Sequence, residues 1–335
     1  DKDNITVFER TEYGDVLLDA IAAENRQDYN EAINLWTDVL KRNSNFDAAY
    51  IGIGQAMYRR GDFEESLEYF EAAYDTANWS NSYKDIRKEF MSNYFLFLII
   101  GIVAVIVAVL LVSKYITKVN KRIKKADERR TYWEELLYAF YVMLHPFDGF
   151  WDLKHERRGS IRGAVTINLI VIVTFFYQSI GQGYLMNPYG SFSTVWAQAI
   201  SVLVPLFLFV TANWCLTTLF EGEGSFKDIY IACSYSMMPI PLLVIPATIY
   251  SNFAIQTEVE LIALVTTISF LWMGLLIFFG TQVTHDYSIV KNLVTILGTV
   301  LGMVFIMFIA ILFTTLVGKL VSLGTNIVTE LTYRM

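Results

Sequence analysis

Apolar and polar positions divide the chain into two regimes. Up to Asn93, short amphipathic stretches alternate with polar breaks rich in Asn, Asp and Gly. From Tyr94 to Val112 the pattern becomes a run without a single charge, long enough to cross a bilayer as a helix. Five more apolar stretches follow, at about 163–183, 194–220, 229–251, 259–280 and 288–318. The pattern predicts an all-α chain with a small helical domain ahead of a polytopic bundle of six spans.

The first regime is internally repetitive. Residues 14–47 and 48–81 align at an offset of 34, placing Ala20 on Gly54, Tyr29 on Phe63, Ala32 on Ser66 and Trp36 on Phe70. The second copy, AYIGIGQAMYRRGDFEESLEYFEAAY, resembles a tetratricopeptide repeat through Tyr50, Gly54, Gly61, Phe63, Ser66, Phe70 and Ala73. Small residues at 54 and 66 let paired helices touch, and Gly61 permits the tight turn. The first copy departs from the motif, with Gln27 at the turn glycine and Asn43-Ser44 where proline is usual. Two repeats need a cap. The polar segment SYKDIRKEFMSN runs without Pro or Gly into the first apolar stretch, which predicts one helix over 82–113 that caps the repeats and then enters the membrane. That continuity would fuse the repeats rigidly to the membrane.

Charge then orients the chain. Residues 1–90 hold 10 Lys and Arg against 19 Asp and Glu, whereas residues 114–162 hold 12 against 7. Lys114, Lys118, Lys121, Arg122, Lys124, Lys125, Arg129 and Arg130 follow the first span. The positive-inside rule places the segment 114–161 in the cytoplasm, with the repeats of 14–81 and the C-terminus outside a plasma membrane. Anionic lipid explains the basic cluster better than nucleic acid does. Within 114–161, Phe147, Phe150, Trp151 and Leu153 alternate with charges. They suit an amphipathic helix in the membrane interface, or a connecting helix packed on the bundle. After Gly318, residues 319–335 space Leu320, Leu323, Ile327 and Leu331 for a short amphipathic helix on the outer surface.

Residues 132–318 resemble the multi-span domain of the Ypt-interacting (Yip) protein family. The resemblance rests on His145-Pro146 followed by FDGFWDLKHERRGS, on the loop GEGSFKDI at 222–229, and on a helix bearing Tyr235, Ser236 and Pro239. The five spans of 162–318 complete it. Ser225 suits an N-cap, and Pro239, Pro241 and Pro246 predict a broken fourth span. In eukaryotes that family binds Rab GTPases in membrane traffic and has no established catalysis. The added repeat domain is similar to bacterial members associated with surface complexes beside sugar importers. Residues 1–13, with Ile5, Val7 and Phe8 alternating, resemble the last strand of a propeller blade; together with the start at Asp1, they suggest a larger ectodomain upstream.

Candidate chemistry is sparse. Cys215 and Cys233 sit in apolar stretches, without the spacing of a disulfide framework or a metal site. His145, His155 and His285, even with Asp148, Asp152 and Asp286, match no ligand pattern. No ionisable residue lies inside the five core spans away from their ends, which argues against ion-coupled transport. Asn168, Gln178, Gln198, Asn213 and Tyr235 read as interhelical hydrogen-bonding groups ahead of a solute path. Gly298 and Gly302 form a close-approach motif, for packing within the bundle or docking of another subunit. Leu17, Ile21, Glu24, Ile51, Gln55, Tyr58 and Arg59 should line the repeat groove, which lacks a carboxylate clamp.

No catalytic, cofactor or metal site is expected. The sequence points to a non-catalytic accessory or scaffold subunit, binding permease-like membrane subunits through bundle and repeats, and most readily placed beside a bacterial sugar ABC importer. A stand-alone channel, lipid-handling protein or transporter is the alternative, and a trafficking adaptor for a GTPase the next.

Overall fold

The computed structural model describes residues 11–122 and 131–334, and its described residues are helical with no strand. They fall into two units. One comprises the described residues up to Leu110, with Ser179–Phe192 and Pro246–Leu264; the other comprises those between Leu111 and Gln178, with Ser193–Ile245 and those from Val265 onward. The proposed propeller strand and the basic residues 123–130 lie outside the described residues, except that Glu12 and Tyr13 already belong to the first helix.

The first unit opens with two helical hairpins, α1 (Glu12–Asn25) with α2 (Tyr29–Arg42) and α3 (Asp47–Arg60) with α4 (Phe63–Ala72). Side-chain caps start the first pair. The Thr11 hydroxyl accepts from the Gly14 N–H at 3.1 Å, and the Asp28 carboxylate accepts from the Glu31 N–H at 3.1 Å. Gly61 ends α3 with φ of 100°, a conformation that Gln27 must adopt at the equivalent turn with φ of 63°. Ala20, Ala23, Ala32, Trp36, Ala49 and Ile53 form the core. Close approach is built on glycine: a Cβ on Gly54 would lie 2.7 Å from the Phe70 ring, and one on Gly52 2.4 Å from Trp36.

Helix α5 (Thr76–Arg122) packs on α4, where the Ser66 hydroxyl meets that of Ser82 at 2.8 Å. It then runs on through the apolar stretch, with non-helical dihedrals at Tyr94 (φ −115°, ψ 18°), where polar sequence gives way to apolar.

The second unit holds most of the bundle. Residues 131–145, placed by the sequence in the stalk, form a further helix, α6 (Tyr132–Leu144). Tyr138, Ala139, Val142 and Met143 of α6 lie in the main core. Then come α7 (Pro146–His155), α8 (Ile161–Gly181), α9 (Val195–Phe220), α10 (Phe226–Ser236), α11 (Pro239–Ser251), α12 (Val259–His285) and α13 (Ile289–Arg334). Helices α5, α8, α9, α10 with α11, α12 and α13 are each long and apolar enough to span a membrane. The α10–α11 span is the most enclosed: 72% of its apolar window is buried, against 39% or less for the others.

That fourth span is broken, at Met237 and Met238, but one proline rather than three marks the place. Pro239 occupies the first position of α11, where its missing N–H is harmless. Pro241 lies in the same first turn, and Pro246 sits inside α11 without ending it, as Pro205 does inside α9. The interfacial group on α7 also divides. Phe150 and Leu153 are buried, whereas Phe147 and Trp151 are about half exposed. At helical spacing the four residues occupy two faces, so α7 packs on the bundle with one and shows aromatic rings on the other. Residues 319–335 are not a separate surface helix, because α13 continues through Gly318 and Gly324 to Arg334. Cys233 is buried as expected; Cys215 is exposed on α9.

Candidate functional site

Two constellations stand out, one in each unit. In the first unit, the repeats and the start of α5 are bound to segments 179–192 and 246–264. Phe70, Trp79 and Leu185 form a small core, flanked by Tyr83, Tyr184 and Val259. Trp79 stacks on Tyr83 at 5.0 Å, lies 5.1 Å from the Tyr184 ring and donates its indole N–H to Glu71 at 3.0 Å. Burial pushes the Tyr184 phenol up to about 12. Arg87 donates to both carboxylate oxygens of Glu258, at 2.8 and 3.0 Å, and to the Phe253 carbonyl at 3.0 Å. The Ser80 hydroxyl accepts from the Gln256 N–H at 2.8 Å. The two segments are joined as well: the Gly183 N–H donates to the Ser251 hydroxyl at 2.9 Å, and a Cβ on Gly183 would collide with the Ser251 carbonyl. This anchor was not foreseen, because Arg87 and Glu258 are separated by 171 residues and each resembles an ordinary flanking charge.

The residues expected to line the repeat groove fare unevenly. Ile21, Gln55 and Arg59 are exposed, while Leu17 and Ile51 are half-buried, Leu17 against the repeat core. Glu24 accepts from the Trp36 indole at 3.0 Å. Burial raises its carboxyl above the usual range, and the Trp36 hydrogen bond works in the opposite direction. The Tyr58 hydroxyl is committed to Asp85 on α5 at 2.8 Å, so it belongs to the joint with the cap.

In the second unit, polar groups converge where the GEGS loop meets α12 and α13. His285 is fully buried. Its Nδ1 accepts from the Gly224 N–H at 3.2 Å and its Nε2 faces Asn213 Oδ1 at 2.8 Å, which defines a neutral ring protonated on Nε2. Asn213 in turn donates to Thr299 at 3.0 Å. A Cβ on Gly222 or Gly224 would strike Tyr287 or His285, so the loop's glycines serve close approach to these rings. Ser225 caps α10 as expected, accepting from the Asp228 N–H at 3.3 Å.

Nearby, Tyr138 donates to Asp152 at 2.5 Å, and Arg158 pairs with Asp152 at 3.4 Å and Glu156 at 2.7 Å beside the Tyr138 ring. Burial and the Asp152 carboxylate push the Tyr138 phenol well above its ordinary value. Higher in the bundle, Asn168 donates to Tyr230 at 2.9 Å and Ser234 at 3.2 Å, and Tyr235 donates to the Glu135 carbonyl at 2.9 Å. Asn168, Asn213 and Tyr235 thus act as interhelical hydrogen-bonding groups.

Gly298 and Gly302 face α9, where a Cβ on each would lie 3.3 Å from Leu216 and Ala212. The close approach their spacing predicts is made within the chain. The three histidines are dispersed: His145 stacks on Tyr141, His155 on Trp151, and His285 on Tyr287. Among the described residues, no three of His, Cys, Asp and Glu come together as metal ligands.

A model of the tetratricopeptide repeat matches residues 17–82, in agreement with the hairpins α1 to α4. A model of the Yip1 domain matches residues 140–314, which hold α7 to α12, most of α13 and the His285 network. Neither the curated proteins nor the solved structures gave a match. With just over half of its length matched and six helices able to span a membrane, the chain belongs to the Yip1 domain family as a multi-pass membrane protein carrying N-terminal tetratricopeptide repeats.

Proposed function

We propose that the protein is a non-catalytic accessory subunit that holds a membrane complex together. The observation that carries this reading is the anchor around Arg87 and Trp79, which fixes an interaction module to loop segments between apolar helices. A repeat domain serving as a loose tether would not need a two-pronged ion pair and an aromatic core at its base. The pairing of Asn213 with His285 and Thr299, and of Tyr235 with the Glu135 carbonyl, supports the same view, since these polar groups are spent on contacts between helices. On this reading the repeats lie outside the plasma membrane, with the basic residues after α5 at its cytoplasmic face near anionic lipid. The partner on this reading is a permease-like subunit, and the resemblance to bacterial members beside sugar importers suggests a sugar ABC importer.

Purification in mild detergent should then co-isolate permease and ATPase subunits. A clean monomer that supports solute uptake by itself would overturn the proposal. Labelling of single cysteines placed at positions 55 and 156 tests the orientation, with only the first expected to react from outside.

A second reading, lipid handling, is favoured by an apolar cavity of about 310 Å³ lined by Phe175, Pro205, Phe209, Met237, Phe270 and Met303 among others. Lipid transfer between vesicles by the isolated protein would establish it.

A further inference from the structure

A pocket of about 410 Å³ lies between α7 and the turn from α12 to α13 in the second unit, bordering the His285 network at Tyr287 and separate from the apolar cavity. Asp148, Trp151, Lys154, His155, Gln282 and Asp286 are among the residues around it.

Its polar groups are unevenly satisfied. The carboxylates of Asp148, in the first turn of α7, and Asp286, held at φ of 56° just past α12, are exposed and make no hydrogen bond or ion pair with another side chain among the described residues. Gln282 Oε1 is buried and receives no hydrogen bond, which leaves an acceptor without a donor. Two exposed carboxylates are thus open to a ligand's N–H groups, and the buried Gln282 oxygen adds a third acceptor once its side chain turns outward. Two cationic or protonatable groups share the same space. Lys154 reaches Glu223 at 2.9 Å, and His155 directs Nδ1 to the Trp151 carbonyl at 3.2 Å, leaving Nε2 uncommitted.

The acceptors narrow the choice. A quaternary ammonium carries no N–H to donate to them. A primary ammonium, with three N–H donors, suits the acceptors instead. Depth decides the source. The pocket sits where α12 ends and α13 begins, beside the exposed Phe147 and Trp151, the position of a lipid headgroup.

We propose that this pocket binds the headgroup of an ethanolamine phospholipid, with the ammonium between Asp148, Asp286 and Gln282 and the phosphate at Lys154 and His155. The site depends on no partner subunit and stands whether or not the scaffold reading holds.

The full-length protein, stripped of lipid in detergent, would be offered dioleoyl phosphatidylethanolamine, phosphatidylcholine and phosphatidylglycerol in equal amounts and read by native mass spectrometry. Phosphatidylethanolamine should be retained about tenfold better than phosphatidylcholine, the value of one or two well-made hydrogen bonds. Asp148→Asn and Asp286→Asn should each reduce that preference. Both side chains are exposed, so monodisperse elution and an unchanged melting temperature will confirm that the variants fold. Lys154→Gln should weaken both lipids alike, since both carry the phosphate. Soluble phosphoethanolamine should displace the lipid, and inorganic phosphate should not. Equal retention of the three lipids, an unaltered preference in both aspartate variants, no effect of Lys154→Gln, or displacement by inorganic phosphate would each overturn the proposal.

Discussion

Arg87, on the part of α5 that caps the repeats, grips both carboxylate oxygens of Glu258 ahead of α12, at 2.8 and 3.0 Å. The pair is about a quarter exposed on each side, sheltered enough to exceed an ordinary surface ion pair. A double-mutant cycle of Arg87→Ala and Glu258→Gln, read by thermal unfolding in detergent, should give a coupling of about 1–2 kcal/mol. Arg87→Ala should also speed protease cleavage in 179–192. Additive single effects would remove the pair from the anchor.

The repeat core separates two uses of glycine. Gly54→Ala and Gly52→Ala force a Cβ into aromatic rings and should each cost about 1–3 kcal/mol. Gly61→Ala meets open space and should cost only the left-handed backbone penalty, about 1 kcal/mol. Gln27→Gly relieves the same backbone strain and should leave the domain as stable as before or slightly more so. Melting curves of the four variants rank them directly.

Glu24 should make the repeats sensitive to pH in a defined direction. Its folded-state carboxyl titrates above the usual range, so the folded state holds the proton more tightly than the unfolded chain. The favourable contribution is fully present below pH 4.5 and is lost as pH rises through the folded value. Glu24→Gln should therefore match the parent near pH 4 and gain in melting temperature relative to it near pH 7. A difference of the same size at both pH values would show that the Trp36 contact, and not titration, dominates.

His285 joins the GEGS loop, α9 and α13 through a neutral ring. Replacing it by Phe keeps the shape, but orphans the Gly224 N–H and the Asn213 side chain, and should cost about 2–4 kcal/mol. Gly224→Ala should approach that loss by displacing the ring, with faster proteolysis at 221–225 as the second readout. An unchanged rate in both would detach the loop from the network.

Much of this was legible because it is local. The offset of 34 residues, Gly61 at its turn, Ser225 as a cap and the six apolar runs are set by backbone propensity and by the need to satisfy peptide groups in lipid. What escaped was non-local or two-sided. Helix α6 resembled a continuation of the stalk because its apolar face carries Glu134 and Glu135 at the start. The break in the fourth span could not be assigned among Pro239, Pro241 and Pro246, since proline only forbids a donor and says nothing of which carbonyl has another partner.

The sequence by itself determined an all-α membrane chain, its repeats, the helix that caps them and the order of its spans, because helical periodicity and transfer of apolar side chains from water act within a segment. Only the tertiary structure decided what Arg87, His285 and Gly298 are for. Their partners, Glu258, Asn213 and the α9 residue Leu216, lie tens to more than a hundred residues away. A charge, a ring or a missing side chain takes its meaning from the group packed against it.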